Sequence, residues 1–269
     1  MKKSMISTAA LAIAFMLCGC FTAGNAQENA SAQPDGTKQI TIHMAGDSTC
    51  ANYAASSALT GWGQVLNEYC KPGVRVNNLA KSGCSSKSFI DIKRWDMLLK
   101  MVKPGDYVIV QFGHNDSKKD KKRFTDPKTT YSANLKKFID DVRARKAKPI
   151  IATSISRCIF KKGKIASSGL IRYRDAAIAV AKAENVPVID LNRITEEKFN
   201  AMGEAKAFAY FRGDYEEAPN KKKAAKAGAK QPQKRTDRTH LKRSGALEVA
   251  EWFVGDCKTQ KLPIADCFK

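Results

Sequence analysis

The chain has 269 residues, 43% hydrophobic and 27% charged, a balance that excludes a disordered or fibrous protein and allows a sizeable core. Its formal net charge of +21 falls only to +19 when Lys2 and Lys3 are set aside. Beyond the N-terminal segment no apolar stretch approaches the length of a membrane-spanning helix.

Residues 1–20 read as an export signal, with Lys2 and Lys3 as a charged start and residues 5–17 as an apolar segment too short to span a bilayer. Two endings fit. Leu17-Cys18-Gly19-Cys20 looks like a lipobox, the more specific pattern, which would leave Cys20 as a lipid anchor in the cell envelope. Gly24-Asn25-Ala26 before Gln27 would instead release a periplasmic or secreted protein. Residues 21–38, rich in Ala, Gln, Asn, Ser and Gly, read as a flexible tether. Residues 39–269 then form one domain.

Strands are expected at 39–45, 74–79, 107–112, 149–153 and 186–191, with helices at 62–69, 89–101, 170–184 and 244–253 between and after them. The run at 107–112 is almost continuously apolar, as in a strand buried on both faces. Tyr131, Leu135, Phe138, Ile139 and Val142 recur at helical spacing and mark an amphipathic helix. Five strands separated by helices imply parallel pairing through right-handed crossovers, hence a three-layer α/β/α sandwich.

Four short blocks then fall at informative places: Gly46-Asp47-Ser48-Thr49, Asn78-Leu79-Ala80-Lys81-Ser82-Gly83, Gly113-His114-Asn115-Asp116 and Asp237-Arg238-Thr239-His240. Ser48, Gly83 and Asn115 follow the first, second and third strands, so all three belong at the carboxyl edge where open α/β sheets build their sites. Together the blocks supply what a serine acyl hydrolase needs. Ser48 is the expected nucleophile and His240 its general base. Asp237, three residues before His240, is the expected orienting carboxylate. Gly83 and Asn115, with the Ser48 backbone N–H, are the expected oxyanion donors. His43 reads as a structural strand residue, and His114 as a loop brace. No G-x-S-x-G elbow occurs, which disfavours an ordinary α/β-hydrolase.

The basic residues cluster. Lys118, Lys119, Lys121, Lys122 and Arg123 form one knot, and Lys221, Lys222, Lys223, Lys226, Lys230, Lys234 and Arg235 a Lys-rich loop over 220–235. Such runs are commonly solvated loops; the functional reading is attraction to a polyanion. Export, and the lack of interleaved aromatics, argue against nucleic acid. Cys257 with Cys267 is the expected disulfide, Cys50 with Cys84 a second pairing, and Cys70 and Cys158 are expected as buried thiols. The cysteine spacings match no zinc site, and no metal or cofactor is called for.

The four blocks resemble the SGNH (GDSL) hydrolase superfamily, through Ser48, Gly83, Asn115 and His240 in order. Gly61-Trp62-Gly63-Gln64, Gly83-Cys84-Ser85-Ser86-Lys87-Ser88-Phe89, Gln111-Phe112-Gly113-His114-Asn115-Asp116 and Asp237-Arg238-Thr239-His240-Leu241 look closer still to rhamnogalacturonan acetylesterases. The resemblance spans about residues 40–255. It implies a flavodoxin-like sheet of order 2-1-3-4-5 and a metal-free deacetylation of pectic polysaccharide, with Trp62 and Arg157 as substrate contacts. Three features depart from the group: Thr153-Ser154-Ile155-Ser156-Arg157-Cys158 where Thr-Pro-Ile-x-Arg-Arg is common, Cys84 where Arg is frequent, and the Lys-rich stretch before Asp237.

The reading is an exported acetylesterase acting through an acyl-enzyme on O-acetylated, acidic polysaccharide, with the 221–235 run holding uronate-rich chains near the site. Two alternatives stand beside it: a short-chain lipid or thioester hydrolase on the same machinery, and a non-catalytic surface protein that binds polyanions. Oligomeric state is not legible from the sequence.

Overall fold

The computed structural model describes residues 39–166, 169–212 and 237–269; the export signal, the tether and the Lys-rich run at 221–235 lie outside the described residues. Strands β1 (Ile40–Gly46), β2 (Val74–Asn78), β3 (Tyr107–Gln111), β4 (Lys148–Ala152) and β7 (Val188–Ile189) form one sheet of order β2-β1-β3-β4-β7, with every pair parallel. This is the expected 2-1-3-4-5 order. The chain steps outward from β1 to β2, then returns across β1 to β3, so the direction of winding reverses between β1 and β3. That point is where open α/β sheets leave a crevice at their carboxyl ends.

Side-chain parity divides the core. On β3, Tyr107 and Ile109 enter one apolar layer while Val108 and Val110 enter the other, which is why the strand reads as unbroken hydrophobicity. The first layer packs against α1 (Trp62–Val65), α6 (Leu191–Met202), α7 (Glu204–Phe208) and α8 (Arg243–Thr259), with the Trp62 and Phe253 rings 5.1 Å apart. The second packs against α2 (Ser86–Asp91), α3 (Arg94–Leu99), α4 (Thr130–Ala144) and α5 (Ile171–Ala183), where Phe112 lies between Phe89 and Phe138.

Several elements differ from expectation. The helix expected over 89–101 is two helices, α2 and α3, separated at Lys93, whose φ of 62° is left-handed. The helix expected over 62–69 is α1 followed by a 3-10 turn at Leu66–Tyr69. The fifth strand shortens because Asp190 leaves the sheet to cap α6, accepting from the Arg193 N–H and pairing with Arg174 at 2.6 Å. A small hairpin, β5 (Phe160–Lys161) with β6 (Lys164–Ile165), and helices α6 and α7 are additional to the expected elements.

Neither expected disulfide is present: Cys50, Cys70, Cys84, Cys158, Cys257 and Cys267 are all free and buried. Cys50 and Cys84 belong to opposite layers of the core, so the sheet separates them. The C-terminal tail is fastened by backbone instead, through Lys71 N–H to the Cys267 carbonyl and Lys269 N–H to the Tyr69 carbonyl, both 2.9 Å. Among the described residues no helix is long and apolar enough to cross a membrane.

Candidate active site

The turn carrying Ser48 is shaped by its neighbours. A Cβ on Gly46 would collide with Cys50 Sγ and stand 2.9 Å from the Gln111 carbonyl oxygen, so only glycine lets the end of β1 lie this close to β3. Asp47, wholly buried, then accepts from the Thr49 N–H at 2.9 Å and the Thr49 hydroxyl at 2.7 Å, curling the chain after Ser48. The Tyr53 hydroxyl donates to the Ser48 carbonyl at 2.7 Å and pins the turn from outside.

His240 arrives from 192 residues away. Its Nε2 lies 2.9 Å from Ser48 Oγ, and its Nδ1 lies 2.8 Å from Asp237 Oδ2. A carboxylate accepts only, so Nδ1 carries the proton and Nε2 presents its lone pair to the Ser48 hydroxyl. This is the arrangement in which imidazole can take the hydroxyl proton. Asp237 also accepts the Thr239 and His240 backbone N–H groups on Oδ1, both at 3.0 Å. Burial alone would raise its pKa, but these hydrogen bonds prevail and hold the carboxyl at about 2.

The loop bearing this pair is anchored on three sides. Cys158 N–H donates to the Arg238 carbonyl at 2.9 Å, Arg212 N–H to the His240 carbonyl at 2.9 Å, and Thr60 N–H to the Leu241 carbonyl at 2.9 Å. Arg238 returns a bond to the Cys158 carbonyl and pairs with Glu204 at 2.8 Å.

Gly83 and Asn115 arrive at the same edge. Lys81 N–H bonds the Gly46 carbonyl at 3.0 Å, drawing the loop after β2 against the Ser48 turn. Gly83 has a φ of 81°, with open space where a Cβ would stand, so conformation is the reason for glycine here. Asn115 Nδ2 donates one hydrogen to the Cys84 carbonyl at 2.9 Å, fixing the amide beside Gly83. Its second hydrogen, and the backbone N–H groups of Ser48 and Gly83, make no hydrogen bond among the described residues. Three uncommitted donors therefore share the strand edge with Ser48 Oγ.

Asp116, to which the sequence assigns no role, couples two of these loops. It accepts from the Ser86 N–H and hydroxyl at the start of α2 and from the Thr125 hydroxyl. Burial pushes its carboxyl up to about 6 against those same bonds. Its position beside Asn115 in the third block is the only sequence signal.

The remaining candidates separate. Trp62 is not a substrate contact: it is fully buried, its Nε1–H donating to Gln111 Oε1 at 2.9 Å and its ring stacked near Phe253, because the aromatic is needed to fill the core under β1. His114 braces a loop as expected, donating from Nε2 to the Ile155 carbonyl at 2.9 Å. His43 is tied to Asp106 and Asn77 inside the sheet. Arg157 is half-buried and makes no ion pair among the described residues; burial lowers its pKa, opposed by the charge of Asp47. Among the described residues the buried side-chain N and O atoms without partners are Asp47 Oδ2, Gln111 Nε2, His114 Nδ1 and Arg157 Nε, on residues in or bracing the loops around Ser48. Among the described residues no group of three or more His, Cys, Asp or Glu is arranged to hold a metal ion.

The family model for GDSL-like lipase/acylhydrolases matches residues 44–215. The chain is 35% identical to the rhamnogalacturonan acetylesterase RhgT of Bacillus subtilis, covering 85% of this chain and 94% of that protein. It is 33% identical to the probable rhamnogalacturonan acetylesterase YesY of the same organism, over 84% and 95% of the two chains. The crystal structure of YxiM from Bacillus subtilis superimposes with a TM-score of 0.70 at 28% identity, covering 84% of this chain and 58% of that one; this chain spans about half the length of YxiM.

Proposed function

The chain belongs to the GDSL-like lipase/acylhydrolase family and is a carboxylic ester hydrolase; from that premise we propose that it removes O-acetyl groups from carbohydrate, with pectic rhamnogalacturonan as the substrate. The observation that carries the reading is the Asp237–His240–Ser48 relay, 2.8 and 2.9 Å per link, beside three uncommitted N–H donors. The near full-length likeness to two rhamnogalacturonan acetylesterases supports the substrate.

In this mechanism Ser48 Oγ attacks the acetyl carbonyl while His240 Nε2 takes its proton. The imidazolium so formed is stabilised by Asp237, and the oxyanion by the N–H groups of Ser48 and Gly83 and the Asn115 amide. Collapse breaks the ester bond, and His240 returns the proton to the departing sugar hydroxyl. Water, deprotonated by His240, then attacks the acetyl-Ser48 ester and releases acetate. The Lys2-Lys3 start, apolar segment and Cys20 support an exported, lipid-anchored enzyme that meets polymeric substrate outside the cell.

The test is acetate release from acetylated rhamnogalacturonan, xylan and mucin by wild type beside Ser48→Ala. Release from the pectic polymer by wild type alone is the expected result. Cleavage of small acetyl esters without release from any polymer would discard the carbohydrate substrate and keep the hydrolase.

A further inference from the structure

Beside the oxyanion loop lies a cavity of about 640 Å³ whose charges the hydrolytic mechanism does not use. One wall is the loop at 81–84 with Ile92; the other is the turn at 120–123. Gly83 belongs both to this wall and to the expected oxyanion hole, so the cavity adjoins the loop that faces Ser48.

Four cations face this space, Lys81, Lys121, Lys122 and Arg123, against one carboxylate, Asp120. That carboxylate is already taken by Arg123, at 2.6 Å. Lys81, Lys121 and Lys122 are exposed and make no ion pair among the described residues. Lys118, close by in the chain, is lowered in pKa by partial burial and by repulsion from Arg123 and Arg157, against the charges of Asp120 and Asp47. Ile92, 49% exposed, gives the cavity an apolar floor patch. Among the described residues no aromatic lines it, so they offer a nucleic acid nothing on which to stack a base. A neutral sugar would gain hydrogen bonds but no charge pairing from three unpaired ammonium groups. An acidic sugar gains from all of them, and an apolar pyranose face can rest on Ile92.

We propose that this cavity is a carboxylate-binding subsite for a uronic-acid residue of the same polysaccharide chain whose acetyl group is presented to Ser48. The inference rests on the carbohydrate acetylesterase reading and adds to it a specificity device, preference for acidic over neutral acetylated polymers. Lysines suit the task because flexible point charges follow carboxylates spaced along a chain without demanding one fixed geometry. The field also gathers the polymer, and exposed charges of this kind act through KM and association rate.

The experiment compares kcat/KM for acetate release from acetylated rhamnogalacturonan and from neutral acetylated glucomannan, in wild type and in the double variant Lys121→Gln/Lys122→Gln. At low salt the acidic-to-neutral ratio should fall about tenfold in the variant, two exposed charge pairs' worth, through KM. The wild-type ratio should fall toward the variant's as salt rises from about 0.01 M to 1 M and the screening length drops from about 30 to 3 Å. Lys81→Gln, on the opposite wall, should lower the ratio independently. A ratio unchanged by these substitutions, or an equal loss on both polymers, overturns the subsite. If wild type releases acetate from neither polymer, the parent reading fails. The subsite is then judged separately by titrating oligogalacturonide into both proteins: weaker binding by the double variant sustains it, and equal binding sinks it.

Discussion

Replacing Asp237 by Asn changes one atom that matters. Oδ1 can still accept the Thr239 and His240 N–H groups at 3.0 Å, so the turn keeps its shape. The group facing His240 Nδ1, 2.8 Å away, becomes an NH2 donor where the relay needs an acceptor. The imidazole then places its proton on Nε2 and meets the Ser48 hydroxyl, 2.9 Å distant, with an N–H instead of a lone pair. General-base capacity is lost while the binding surface and oxyanion donors stay, which predicts a kcat lower by about a thousand- to ten-thousand-fold with KM little moved.

The same substitution carries a stability signature. The Asp237 carboxyl is held at about 2 against an ordinary 3.8, a difference worth roughly 2 kcal/mol. A depressed carboxyl stabilises the fold at pH values above 3.8, and that contribution is lost as pH falls through 2. Because two of the three hydrogen bonds survive in the Asp237→Asn variant, the loss at neutral pH is at most roughly 2 kcal/mol, or about 4–8 °C in Tm for a domain of this size. Stopped-time hydrolysis of p-nitrophenyl acetate measures the first effect and thermal denaturation from pH 2 to 8 the second. A variant that stays within tenfold of wild-type kcat would refute the role of Asp237 as the group that sets the His240 tautomer.

Asn115→Ala should lower kcat/KM by about a hundred- to a thousand-fold, the usual cost of one oxyanion donor, and unimpaired turnover would remove Asn115 from the site. Trp62→Phe removes the bond to Gln111 and part of the packing on Phe253; stability should drop by about 1–3 kcal/mol in urea titrations with KM for acetyl esters unmoved. Asp116 is raised to about 6, so the folded protein binds its proton more readily than the unfolded chain does. Its effect is a stability that is highest below 3.8 and falls, by on the order of 3 kcal/mol, as pH rises through 6; Asp116→Asn should flatten that slope. The six domain cysteines should resist iodoacetamide in the folded protein and all react once it is unfolded without reductant; fewer modified thiols would reveal a disulfide.

The sheet was legible because its central strands carry two cores at once. β3 and β4 alternate their side chains between two apolar layers, so their hydrophobic runs are unbroken and short, and the helices between the strands leave only parallel pairing. Edges were harder to place. β7 is only Val188–Ile189 because the Asp190 side chain gains more by capping α6, a local choice that an apolar run at 186–191 conceals. The break at Lys93 was hidden because Ile92 and Met101, which continue the apolar pattern on paper, are 49% and 41% exposed. α6 did carry a readable stripe, Leu191, Ile194, Thr195 and Phe199, with Thr195 breaking the apolar code by turning its hydroxyl back to the Leu191 carbonyl. Trp62 misleads for a related reason: a motif shared with a group of esterases says that a residue matters, and here it matters to the core beneath the site.

The expected site residues stand out in the sequence more clearly than the elements that hold them, and topology explains the difference. Ser48, Gly83 and Asn115 follow three strands of one parallel sheet, so each is fixed by a strand end whose position the fold class already dictates. Cross-links between those ends are short: Lys81 N–H to the Gly46 carbonyl, Asn115 to the Cys84 carbonyl, Asp116 to the first residue of α2. His240 has no strand beneath it. It reaches Ser48 because Arg238 and Cys158 exchange hydrogen bonds, Leu241 bridges Phe211, and Thr60 N–H holds the Leu241 carbonyl. Cys158, Phe211 and Thr60 lie outside the strand-end blocks, and all three hold the loop through backbone groups that no side-chain pattern encodes. Ser48, Gly83 and Asn115 are thus set by the sheet, whereas His240 is set by a loop resting on the exit from β4 and the end of α7. The two supports meet at the 2.9 Å hydrogen bond between His240 Nε2 and Ser48 Oγ. Damage to the loop anchors should therefore weaken proton transfer while leaving the three N–H donors where they are.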